Sequence, residues 1–149
     1  MTASSTSSNS GFRYGNPALE CGGAKLRGQC RQLATVLTIT GTLDATNIDV
    51  VLAQAKKYVV PEKPVILDLS GITSFAPEAI SLLDSVDEGC DAIGEQWLLV
   101  ASPHVSRSLR LCGVDESFPA LESVAEALQY ISEAVCVRRR LLPILRKSA

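Results

Sequence analysis

Apolar positions along this chain switch between two periods. From Val36 to Leu43, Leu37, Ile39 and Leu43 point one way while Thr38, Thr40 and Thr42 point the other, the two-residue repeat of a half-buried strand. Ile48, Val51, Leu52, Ala55 and Val59 then recur at three and four residues, a helical stripe that Asp44 or Thr46 can cap and that Pro61 and Pro64 end. Val65-Ile66-Leu67-Asp68-Leu69 is a short apolar run of the kind found in strands covered on both faces. The alternation repeats. Pro77 suits a first helical turn, and Ala79, Leu83, Val86, Cys90 and Ile93 form a second stripe that Gly94 stops. Trp97 opens another buried-type strand to Ala101, and its large ring is expected in the core. Ser102-Pro103 opens a third helix closed by Gly113, Phe118 to Leu121 is a short extended piece, and Val124, Leu128, Ile131 and Val135 mark a last helix. An earlier strand is expected from Ala24 to Arg31. Strands alternating with helices predict an α/β fold: a mixed, mostly parallel sheet of four to five strands with about four helices.

With 149 residues, 46% of them hydrophobic, the chain suits one domain. Residues 1–23, rich in Ser, are expected to form a disordered tail, residues 24–136 the domain, and residues 137–149 a basic C-terminal tail. A net charge of −2 gives no overall basic footprint for nucleic acid, and no apolar run approaches the ~20 residues that span a bilayer. The Ser-rich N-terminus has neither the charged nor the apolar region of a secretory signal, so the expectation is a cytoplasmic protein without membrane insertion. The oligomeric state is left open.

The chemistry-bearing motifs are missing. Five cysteines, none in C-x-x-C spacing, and a single histidine do not make a zinc cluster or a disulfide framework, so neither a metal nor a cofactor is expected. There is no Gly-rich phosphate loop, HExxH or GxSxG. Any nucleophile–base device would depend on His104, which follows Ser102-Pro103 at a helix start, where the dipole disfavours an imidazolium. The reading is a binding protein, not an enzyme. Asp84, Asp87, Glu88, Asp91 and Glu95 share one face of the second helix, either a solvated face or a strip that steers a basic partner. At the C-terminus Arg138, Arg139, Arg140, Arg146 and Lys147 surround apolar residues, and Pro143 is expected to limit any helix there to about two turns.

Several segments, in order, resemble the STAS domain, the family of sulphate transporters and anti-sigma factor antagonists. They are Thr40-Gly41-Thr42-Leu43-Asp44, Val65 to Thr73, Leu99 to Pro103, and Leu111-Cys112-Gly113-Val114 with Phe118. The resemblance implies a regulatory module that binds an anti-sigma factor of the serine-kinase type and so affects sigma-factor-dependent transcription. It also implies a partner surface made of a loop, Ser74, Phe75, Ala76, Pro77 and Glu78, with Asp84, Asp87, Glu88 and Asp91 of the second helix. The family's D-S-[ST/A]-G switch, whose first serine is phosphorylated, corresponds to Ala76-Pro77-Glu78-Ala79. Pro77 stands at the phosphoacceptor position without a hydroxyl, so the standard switch is not expected. The alternative is a non-switching STAS scaffold or small-ligand sensor; an enzyme ranks last.

Overall fold

A computed structural model describes residues 18–61 and 63–148, with side chains as far as residue 136. Six strands form one sheet: β1 (Leu19–Glu20), β2 (Ala24–Cys30), β3 (Thr35–Leu43), β4 (Val65–Phe75), β5 (Trp97–Ala101) and β6 (Ala120–Leu121). Their spatial order is their order in the chain; β1, β2 and β3 are antiparallel neighbours, and β3 to β6 run parallel. The four α-helices among the described residues are α1 (Ile48–Ala55), α2 (Ile80–Ile93), α3 (Pro103–Leu111) and α4 (Val124–Ser148). The mixed, mostly parallel sheet and the helix count match the sequence reading, with β1 and β6 extending the sheet beyond the expected four to five strands. β1 and the buried Cys21 fall within the expected tail; residues 1–17 lie outside the described residues.

The sheet is covered on both faces. Val65, Leu67 and Leu69 of β4 face a large cluster shared with Ile39 and Leu43 of β3, with α1, α2 and α3 packed over it. Ile66, one residue out of phase, faces a smaller cluster with Val36, Val100, Ala127 and Ile131, closed by α4. This is why the run reads as continuously apolar: alternate side chains are buried on opposite faces.

β4 is longer than its apolar run. Its pairing with β3 shifts between Thr38 and Thr40 and again between Gly41 and Thr42. These irregularities re-aim the strand, so that Leu69, Ile72 and Phe75 are all buried at a three-residue spacing while the residues between them are exposed. The sequence expectation of a loop at Ser74 is thereby corrected: Ser74 is the strand partner of Thr42, and Phe75 that of Leu43. α1 also starts differently than expected. Its N-cap is Asn47, without a side-chain cap bond, while the Asp44 carboxylate accepts from the Thr46 N–H and hydroxyl in an Asx turn. These bonds lower the Asp44 pKa, the Thr46 side chain contributing most.

α4 continues to Ser148 through Pro143, where about two turns were expected. A proline deletes one backbone donor and strains its turn, yet the flanking helical hydrogen bonds carry the element past it. At 25 residues α4 is about 37 Å long. No helix among the described residues is long and apolar enough to cross a membrane.

All five thiols are free; Cys21 and Cys90 are buried, and Cys30, Cys112 and Cys136 exposed. Maleimide labelling of the native protein is therefore expected to modify three sites quickly, with the other two reacting only in denaturant. Peptide mapping at short times checks this, and rapid native labelling of Cys90 would contradict the packing.

Candidate functional site

The segment from β4 into α2 is held from two sides. The Ala76 N–H donates to the Leu43 carbonyl at the end of β3 (2.9 Å), and the Ser108 hydroxyl of α3 donates to the Phe75 carbonyl (2.7 Å). Ala76 is extended, as the residue before a proline must be, and Pro77–Ala79 then form a 3-10 turn leading into α2. Ala79 is fully buried and anchors the turn to the core. Ser74, Pro77 and Glu78 are exposed, Ala76 is half-buried, and Phe75 is only 5% exposed. Of the five residues expected at this surface, Phe75 thus contributes position through its backbone, not side-chain area. Ser81, one turn into the helix, donates its hydroxyl to the Glu78 carbonyl (2.8 Å), a further tie on the turn.

Asp84, Asp87, Glu88 and Asp91 are all exposed on α2, as their spacing predicts, but they do not act as one strip. Glu88 lies on the wall of a groove of about 400 Å³ between α1 and α2, floored by Ala55, Val59 and Val86, with Lys56 on its rim. Asp87 and Asp91 face the other flank and line a second groove, of about 320 Å³, with Glu95, Trp97 and Phe118. Trp97 is half-buried there: it packs against the edge of the larger cluster and is not enclosed in the core as its sequence context suggested. Its Nε1–H donates to Asp87 Oδ1 (2.9 Å), and its ring meets Phe118 at 6.0 Å between centroids. Below it the Cys90 thiol is pushed up to about 11, by burial first and then by Glu95 and Asp87. Sequence reasoning missed this second groove; the recurring carboxylates were legible, but the aromatic ring beside them depends on where β5 starts.

His104 is exposed at the first turn of α3, whose cap is the buried Ser102, its hydroxyl accepting from the Val105 N–H (3.3 Å). Among the described residues, no group of three His, Cys, Asp or Glu is placed to hold a metal ion.

The sequence model of the STAS domain matches residues 26–127, from β2 into α4. The chain belongs to the STAS domain family. The chain is 42% identical over 142 residues to osmosensory protein A of Mycobacterium tuberculosis, a match covering 92% of this chain and 90% of that one. In fold it is similar to an anti-sigma factor antagonist from Mycobacterium paratuberculosis (TM-score 0.64, 20% identity, 73% of this chain and 94% of that one). It is likewise similar to the anti-sigma factor antagonist SpoIIAA in its unphosphorylated form (TM-score 0.59, 13% identity, 72% and 96%). SLC26A9 shares the fold over 26% of its own chain (TM-score 0.62, 16% identity, 88% of this chain). Within the STAS fold, Pro77 occupies the exposed first position of the turn into α2.

Proposed function

We propose that this STAS domain is a docking module for an anti-sigma factor, with the segment 74–78 and the acidic face of α2 as the partner surface, working in the cytoplasm without the serine switch. The observation that carries the reading is Pro77, exposed on a turn tied to β3 and α3, beside an exposed acidic helix face. A phosphate placed on such a surface would break docking by repulsion and desolvation. Proline accepts none, so binding here is constitutive and set by the partner's concentration. The expected domain limits, residues 24–136 as the folded unit with flanking tails, belong to the same proposal.

The test uses purified full-length protein and anti-sigma factors of the same cell. Asp84→Lys with Glu88→Lys is expected to weaken binding by about tenfold at low salt and to flatten its salt dependence, because exposed interfacial charges act mainly on encounter. In the presence of ATP and a kinase-type partner, mass spectrometry is expected to find no phosphate on Ser74 or Ser81. Unchanged affinity at every salt concentration, or stoichiometric phosphate at Ser74 that abolishes binding, would overturn the reading.

A further inference from the structure

The groove beside Trp97 has a composition that ordinary solvated helix faces lack. Three carboxylates, Asp87, Asp91 and Glu95, rim an opening whose floor includes the Trp97 and Phe118 rings, and no Lys, Arg or His lines it. Among the described residues none forms an ion pair with these carboxylates; the ion pair of Lys25 with Glu20 lies away from them, on β1 and β2. The indole is not free to swing, because its Nε1–H is bonded to Asp87 and its ring packs on Phe118. A fixed aromatic ring beside uncompensated carboxylates is a preformed receptor for a cation that is also flat. A guanidinium satisfies both halves: its plane stacks on the ring while its N–H fork meets the carboxylates. An ammonium is drawn to the ring and the charge as well, but it has no plane to stack and no fork to span the carboxylates.

We propose that this groove receives an arginine side chain from a basic segment of the partner protein. The proposal rests on the docking role argued above and adds to it an anchor at the far end of α2. α2 has 14 residues and is about 20 Å long, so a partner that touches both Pro77 and Trp97 lies along the whole helix. The acidic face is then a track with a specific end: Asp84 steers, while Asp91, Glu95 and Trp97 hold.

Trp97 is the single tryptophan of the chain, so its emission reports on this groove alone. The experiment titrates the full-length protein with hexa-arginine and, separately, hexa-lysine at low ionic strength. Hexa-arginine is expected to change the emission saturably and to bind at least fivefold more tightly than hexa-lysine. Asp91→Asn with Glu95→Gln is expected to weaken hexa-arginine at least fivefold, while Glu133→Gln, exposed on α4 and outside the groove, leaves it unchanged; circular dichroism confirms that each variant is folded. Equal affinity for the two peptides, or an equal loss with Glu133→Gln, would show a diffuse acidic surface and overturn the proposal. Emission that changes when the protein alone is diluted would put a second copy of this chain in the groove and overturn it too. If only the peptide selectivity fails while Asp84→Lys with Glu88→Lys still weakens the anti-sigma factor, the groove falls and the docking role stands. The opposite pair of results removes the docking role and leaves an arginine-binding groove.

Discussion

Gly41→Ala is expected to lower the melting temperature by about 10 °C or more. Gly41 sits near the end of β3 with φ +97°, a backbone region that L side chains rarely adopt. A Cβ there would lie 2.4 Å from the Gly23 carbonyl oxygen and 3.2 Å from the Ala24 Cα. Both obstacles are backbone, so no rotamer change relieves them. The same Gly23 carbonyl accepts from the Thr42 N–H (3.0 Å) and from its hydroxyl (3.3 Å), and moving it disturbs both bonds. Adding the dihedral strain to the displaced backbone gives about 3–4 kcal/mol. Gly94→Ala separates the two contributions: Gly94 has φ +74° but nothing within 4 Å of an added Cβ. Its cost is the dihedral alone, about 1 kcal/mol. Thermal unfolding of the two variants side by side measures the difference, and equal losses would mean that the approach of β2 to β3 is not what Gly41 serves.

Asn47→Ala is the second large effect, at about 3–5 kcal/mol. Asn47 is 2% exposed, and its amide joins three parts of the chain. Its Nδ2 donates to the carbonyls of Gly22 (3.0 Å) and Thr42 (2.8 Å), while its Oδ1 accepts from the Asp44 N–H (3.0 Å). Truncation strands one donor and two acceptors, each costing about 1–3 kcal/mol unless water replaces the amide. Asn47→Asp keeps the acceptor but sets a carboxylate against two carbonyl oxygens, which raises the pKa of the introduced group above its unfolded value. Protonation is then favoured in the folded state, so this variant gains stability as the pH falls through that raised pKa. Urea unfolding at neutral and mildly acidic pH checks both substitutions. A midpoint for Asn47→Ala close to the parent's would show that the three bonds are readily replaced.

The central elements were legible because burial leaves a simple pattern. Leu37 and Ile39 against the threonines of β3, the continuous run opening β4, and the stripe Leu83, Val86 and Cys90 on α2 each match the side on which the core lies. What escaped the sequence has physical reasons. β1 is two residues long, too short for any period, whereas the equally short β6 falls within the extended piece expected from Phe118 to Leu121. The second half of β4 was hidden by its irregular register, which spaces Leu69, Ile72 and Phe75 in threes and mimics neither strand nor helix. The role of Asn47 depends on Gly22, 25 residues away, and no local pattern encodes such a bond. At the candidate site the proline and the carboxylates were readable one by one. The division of the acidic face between two grooves was not, since it follows from how α2 rolls against α1 on one side and β5 on the other.

The sheet's strands lie side by side in the order in which the chain is made, which bears on synthesis at the ribosome. From β2 onward, each emerging strand finds its neighbour already present, and the helices that close the larger cluster arrive between those strands. The other face has no such provision: Val36, Ile66 and Val100 are covered by Ala127 and Ile131 of α4, the last element to appear. A nascent chain halted before α4 therefore displays an apolar row on a finished sheet, the kind of surface that recruits chaperones or another unfinished copy.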